Sequence, residues 1–414
     1  MEPKIRFTNI IEPWSIKTIG EMFKFKNGLN KGKDSFGFGT PIINYTDVYK
    51  HRGLTRDMVK GLVNLDANEI RRYQVKKGDV FFTRTSETPE EVGFASVLLE
   101  DIDDCSFSGF VLRGRPITDD LELDYCKECF SVHAVRDYIV KTCTYTTRAL
   151  TNGTLLSKIP ITIPPKEEQK AIASYFTNLD ALIQSTEKKI EALKQVKVAS
   201  LQSMFPQEGE TIPRVRFKGC KGEWEIIKFS DFAEIHRGLT YTPNNVMETG
   251  VRVLRSSNID EDTFVTSKGD IFVAPNCVNI DYAKEGDILI TAANGSPRLV
   301  GKHAIIRNTG SIPMVAGGFM YLVTSQESEF LNASMSSNWY FRFLKTGVAG
   351  GNGSIGNLSR NDLKEAEFLI PIQKEERNML ADYFTSLDSQ IALQTRRLEK
   401  LKQIKSACLD NMFV

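Results

Sequence analysis

The chain has 414 residues, 41 % apolar and 25 % charged, with a formal net charge of +1, which is the composition of an ordinary globular protein long enough for two or three cores. It is far less basic than a histone-like nucleic-acid binder, and no run approaches the roughly 18 apolar residues of a membrane span. Charges between Met1 and Trp14 stand where a secretory signal needs an apolar run, and seven irregularly spaced cysteines fit reduced thiols, so a cytoplasmic location is expected.

In chain order, the first 160 residues read as short β-type runs. Trp14 opens them, followed by Gly28-Leu29, a run from Ile42 to Val48, and a Lys77-Gly78-Asp79 turn before the strand Val80 to Thr83. The polar loop Arg84 to Glu91 comes next, then Gly109-Phe110, a short helix ending at Lys141-Thr142, and Asn152-Gly153-Thr154. From Ile163 to Phe205 the period changes. Ile172, Phe176, Leu179, Ile183, Ile190, Leu193 and Met204 step by fours and threes, the seam of a helix lying along another helix. Pro165 and the glutamates after it mark the start, because proline has no N–H to leave unpaired and carboxylates suit the positive helix end.

The pattern then recurs. Trp224, Gly238-Leu239, Val253 to Ile259, Glu285-Gly286-Asp287 before the strand Ile288 to Thr291, the loop Ala292 to Leu299, Gly318-Phe319, Lys345-Thr346 and Asn352-Gly353-Ser354 follow in the same order. A second long helix, Ile370 to Phe413 with Pro371 near its start, repeats the seam as Leu380, Phe384, Leu387, Ile391, Leu398, Leu401 and Met412. With Glu167 set against Glu375, 18 of 39 gapless pairs are identical, where unrelated composition gives roughly 6 %.

Each helix of about 40 residues is about 60 Å long. The stretch of about eight residues between Phe205 and the globular sequence near Pro213 cannot carry the chain back along it at about 3.5 Å per residue. The expected fold is therefore α+β: two similar recognition domains, residues 1–160 and 207–368, separated by long helices over 161–206 and 369–414 that form an antiparallel coiled coil with pseudo-two-fold symmetry. Polar seam positions (Thr186/Gln394, Lys197/Lys405, Ser200/Cys408) weaken a two-helix reading there and suggest further helices packing on that end.

The order, duplication and spacing of the Ile-Pro, Glu-Glu, Tyr-Phe, Leu-Asp and Leu-Lys-Gln elements resemble the specificity subunit of Type I restriction-modification systems over nearly the whole chain. The resemblance implies a subunit without catalytic residues that holds two DNA-methyltransferase subunits, and two restriction subunits in the full complex, over a bipartite, asymmetric double-stranded DNA site. S-adenosylmethionine, ATP and Mg²⁺ would then belong to the partner subunits. It also implies that Tyr175, Phe176, Leu179 and Asp180, with Tyr383, Phe384, Leu387 and Asp388, lie in the inter-helix and methyltransferase contact region, and the apolar Leu182 and Val196, off the pairing line, are further candidates for partner contact.

Other chemistries are weaker. Cys126-x-x-Cys129 with His133 and Cys143 has zinc-ligand residue types, but the spacing is irregular and residues 329–347 of the second copy hold no cysteine or histidine, so no metal is expected. Gly351-Asn352-Gly353-Ser354-Ile355-Gly356 spells GxGxxG outside any βαβ unit and reads as a flexible loop. Phosphate-loop, helicase and amino-methyltransferase motifs are missing, which disfavours a single-chain methyltransferase or nuclease; a coiled-coil scaffold without DNA function is the other alternative. The candidate DNA contacts are basic and amide-bearing loop residues: Lys24, Lys26, Asn27, Lys31, Lys33, Tyr45, Arg84, Thr85 and Ser86 in the first copy, and Arg237, Tyr241, Arg255, Ser256, Asn258, Asn294, Ser296, Arg298 and Lys302 in the second. Arginine and lysine suit guanine edges and phosphates, and asparagine suits adenine.

Overall fold

The structure, a computed structural model, describes residues 3–7, 10, 12–308, 310–349 and 356–413. The Asn352-Gly353-Ser354 loop and all but Gly356 of the GxGxxG string lie outside these. The chain falls into two units, Met1–Glu187 with Arg396–Val414, and Lys188–Thr395. Each unit takes its globular part from one copy of the repeat and its helices from both.

In the first unit a mostly antiparallel sheet orders Phe23–Asn27, Val111–Pro116, Val80–Thr83, Ala95–Leu98 and Gly53–Leu54, the last pair parallel. Val80–Thr83 is buried at every position, as expected of a central strand covered on both faces. A second sheet sets Phe36–Ile43 between Gly61–Val63 and Ser106–Phe107. The second unit repeats the plan with Glu234–Arg237, Met320–Thr324, Ile288–Thr291 and His303–Ile305 in one sheet and Val246–Met247, Ile271–Val273, Val251–Leu254 and Met314–Ala316 in the other. A two-stranded ribbon closes each domain: Ser15–Thr18 pairs with Pro160–Ile163, and Glu225–Lys228 with Glu367–Ile370. The chain thus enters and leaves each domain side by side.

The long helices span Lys166–Met204 and Lys374–Met412, 39 residues each. Within each unit the two helical segments run antiparallel. In the first, Tyr175 Oη lies 3.3 Å from Cys408 Sγ, and Lys405 donates to Asp180. In the second, Ser200 Oγ lies 2.9 Å from Tyr383 Oη, and Lys197 Nζ lies 2.8 Å from Asp388 and 3.0 Å from Asp262. These pairs account for two of the three polar seam positions, Lys197/Lys405 and Ser200/Cys408, without a further helix, while the Thr186 hydroxyl donates to Leu182 O of its own helix at 2.7 Å. The lysines and small polar residues of one segment meet the Asp and Tyr of the repeated Tyr-Phe…Leu-Asp element on the other, so the polar sites satisfy each other and fix the register. Burial disfavours the Lys197 charge, but Asp388 and Asp262 outweigh it and hold its pKa above the ordinary 10.5.

The Glu-Glu element also acquires a structural role. Glu168 is 1 % exposed and accepts from Arg6 Nε at 3.1 Å, Arg6 Nη2 at 2.8 Å and the Trp14 indole at 2.8 Å. Its counterpart Glu376 accepts from Arg216 Nε at 2.8 Å and Nη2 at 2.5 Å, but the Trp224 indole nitrogen is buried with no hydrogen-bond partner among the described residues. A carboxylate in the first helical turn thus clamps the segment leading into each domain, favoured by the helix end and by the fork geometry of arginine.

Cys126 and Cys129 are buried in the first core beside Tyr125 and Phe130, where burial pushes the Cys129 thiol well above its usual range. His133 lies outside, its side chain 81 % exposed. Among the described residues no helix is long and apolar enough to cross a membrane, and no cluster of three or more His, Cys, Asp or Glu stands ready for a metal.

Candidate nucleic-acid interface

In the second unit the candidates converge where the sheets give way to loops. Ile288–Thr291 is fully buried and feeds the short strand Ala293–Asn294, which is held by pairing with Gly356–Leu358. The Asn294 side chain braces the loop: its Nδ2 donates to Ser256 Oγ at 3.0 Å, while its Oδ1 accepts the Ser296 N–H at 2.9 Å. Beyond this brace Ser296 and Arg298 are exposed, Arg298 on the 3-10 turn Pro297–Leu299. Tyr241, Arg255, Ser256 and Asn294 line one groove of about 800 Å³ with Phe319, its floor made apolar by Leu239, Val253 and Met320. Arg237, exposed at the end of Glu234–Arg237, and Lys302, half-buried, fall outside this lining.

Asn258 does not fit the role expected of it. It is 1 % exposed, and its amide donates to Val265 O and Asp270 Oδ1 at 3.0 Å each while its oxygen accepts the Arg255 N–H at 2.8 Å. Every polar atom of that side chain is spent on the turn that presents Arg255. The same correction applies to Ser86, 7 % exposed, whose hydroxyl donates to Glu91 at 2.9 Å.

In the first unit the candidates spread more widely. Lys24 and Asn27 are exposed on the edge strand Phe23–Asn27, and Lys33 is exposed on the turn Lys33–Ser35. Lys26 donates to the Arg72 carbonyl and sits 5.1 Å from the Tyr73 ring; burial first, then Arg113, Arg72 and Arg115, holds its pKa below the usual 10.5. Lys31 is engaged by Glu69 at 2.7 Å and the Asn64 carbonyl at 3.1 Å, and Tyr45 stacks on Tyr49 with ring centres 5.7 Å apart. Arg84 occupies the link between Val80–Thr83 and Thr85–Ser86, with Thr85 paired to Leu150, and its Nη1 lies 3.5 Å from the Gly109 carbonyl.

The helix candidates separate into two kinds. Phe176, Leu179, Phe384 and Leu387 are 0–8 % exposed and form part of the intramolecular cores, so their side chains are not available to another protein. Leu182 is 37 % exposed, while Tyr175 and Tyr383 are half-buried, with hydroxyls turned to Cys408 and Ser200. Sequence reasoning passed over Arg71 and Arg72, exposed on the helix Ala67–Tyr73, although two adjacent arginines are a visible signal. It also treated the Gly-Phe pairs as framework, yet Phe110 and Phe319 are 60 % and 67 % exposed.

A family profile described as "Type I restriction modification DNA specificity domain" matches residues 11–195 and 221–403. The putative type I restriction enzyme MjaX specificity subunit of Methanocaldococcus jannaschii is 21 % identical over 426 residues, 98 % of this chain and 94 % of that protein. The type I restriction enzyme MjaVIII specificity subunit of the same organism is 23 % identical over 273 residues, so the match spans 62 % of this chain and only 61 % of that relative. Among solved structures, the S subunit of a type I restriction-modification system from M. genitalium has a TM-score of 0.62 at 15 % identity, covering 100 % of this chain and 99 % of its own. A chain from a study of complex assembly and conformational transition in a type I R-M system gives 0.56 at 13 % identity, covering 97 % and 98 %. At such identities the structural likeness speaks for the fold alone.

Proposed function

The chain belongs to the Type I restriction modification DNA specificity family, and from that premise we propose that it is a non-catalytic subunit that reads a bipartite, asymmetric duplex site. Residues 1–160 and 207–368 serve as the two reading domains. The helical segments 161–206 and 369–414 hold two methyltransferase subunits, with restriction subunits joining in a full complex. S-adenosylmethionine, ATP and Mg²⁺ act on those partners, in the cytoplasm.

One observation carries this reading. The same strand, Val80–Thr83 in one unit and Ile288–Thr291 in the other, delivers different polar loops, Arg84-Thr85 against Asn294-Gly295-Ser296-Pro297-Arg298. A common scaffold with unlike side chains at its tips suits two modules that recognise different sequences. Exposed apolar residues off the helix seam, Leu182 and Val196, support a partner surface there. Methylation mapping of cells with and without the gene tests the proposal: the gene should add methylation at one two-part motif whose halves differ. Unchanged methylation, together with purified globular parts that shift no DNA, would favour a scaffold with no DNA role.

A further inference from the structure

Large apolar side chains exposed singly need no explanation, but the same aromatic exposed on the same turn of two otherwise diverged domains does. Ser108-Gly109-Phe110-Val111 is a four-residue turn closed by the Val111 N–H donating to Ser108 O at 2.9 Å. Gly317-Gly318-Phe319-Met320 is its counterpart, closed by Met320 N–H to Gly317 O at 2.8 Å. Each turn is fixed from two sides. The Phe110 carbonyl accepts the Arg84 N–H at 3.0 Å, and the Phe319 carbonyl accepts the Ala292 and Ala293 N–H groups at 2.9 and 3.1 Å. On the other side, Gly28 and Gly238 approach so closely that a Cβ would lie 2.0 Å from Ser108 O and 1.9 Å from Gly317 O.

The backbone is rigid while the ring is left in water, 60 % exposed at Phe110 and 67 % at Phe319. Both turns are bonded to the strand-end loops that hold the candidate base readers, and Phe319 borders the groove of Arg255 and Asn294. Those readers differ between the units, whereas the ring does not. A residue common to both domains suits a feature common to both half-sites, and any base step that is wedged open offers an aromatic ring the same feature, a π-face.

We propose that Phe110 and Phe319 are stacking wedges, each ring packing against the face of a base in its half-site and anchoring the domain without selecting the base. This rests on the DNA-reading role above. The test uses the full chain with its methyltransferase partner, a fluorescent duplex carrying the mapped site, and a panel of duplexes changed one base pair at a time. Phe319→Ala and Phe110→Ala should each weaken binding about 10- to 100-fold. The ranking of the panel should stay unchanged, with Phe319→Trp recovering most of the affinity. Phe319→Leu keeps apolar bulk without a ring and should behave like the alanine variant. Leucine or alanine variants that bind like wild type would overturn the proposal, as would a loss confined to a flattened preference at one base pair. A wild-type complex with no affinity for any duplex would instead remove the DNA-reading role itself.

Discussion

Replacing Glu376 by alanine is expected to destabilise the second unit without altering any reading loop. The carboxylate is 3 % exposed and its partner Arg216 13 % exposed, so the pair counts as buried. Removing one member of such a pair costs about 3–5 kcal/mol, because the remaining charge stays desolvated. Arg216 keeps hydrogen bonds to the Gly222 and Lys221 carbonyls at 2.6 and 3.3 Å, which places the expectation near the lower end, about 3 kcal/mol. For a unit of about 200 residues that lowers the melting midpoint by about 6–12 °C. Glu168→Ala should cost about 1 kcal/mol or more beyond this, since it also strands the Trp14 indole, whereas Trp224 has no bond to lose. Calorimetry of the two single variants and of Glu376→Leu with Arg216→Met checks the reasoning. The apolar double replacement should cost less than Glu376→Ala alone. A Glu376→Ala cost below about 1 kcal/mol, or an apolar double replacement that costs as much as Glu376→Ala or more, would refute the clamp.

Leu182→Glu should weaken co-purification with the methyltransferase while leaving the melting profile intact, since the side chain is exposed; equal recovery of partner would count against a helix docking face. Arg298→Ala should lose about 1–3 kcal/mol of site affinity and relax one half-site only, read by competition binding, whereas an equal loss on all DNA would mark a phosphate contact. His303 is buried with Nδ1 2.9 Å from Asn332 Oδ1, and burial depresses its pKa below the ordinary 6.5. The unfolded chain therefore binds the extra proton first, so this contribution to stability is present above about pH 6.5 and is lost as pH falls towards the folded pKa. His303→Gln should flatten that acid slope in thermal melts, and an unchanged slope would assign it to other groups.

The helices were legible because their information is periodic: a 39-residue seam that occurs twice leaves little freedom, and its starts follow from Pro165 and Pro371. The roles of the polar seam residues were not. Nothing local pairs Lys197 with Asp388, which lies 191 positions away (388 − 197) in the repeated Leu-Asp element. Among the candidate DNA contacts, residue type picked out loops at the sheet ends but not which side chains face out. Ser86 and Asn258 belong to loop sequences like those of their exposed neighbours, and only their contacts with Glu91, Val265 and Asp270 show that they hold turns together. Phe110 and Phe319 were visible only as part of a repeated Gly-Phe pair, and nothing in that pair tells that the turn leaves both rings exposed.

The ribbons that close the domains have a consequence for how such a protein tolerates change. Because Ser15 faces Ile163 and Glu225 faces Ile370, the positions where the chain crosses into and out of a domain are tied to each other by strand pairing. An insertion or deletion in an exposed loop between those crossings changes the length of a segment whose two ends stay where they were. The helices would feel the change only where a domain loop touches them, as Asp262 does at Lys197. Length variation in loops that do not touch the long helices is therefore insulated from them, and drift in one domain need not be compensated in the other.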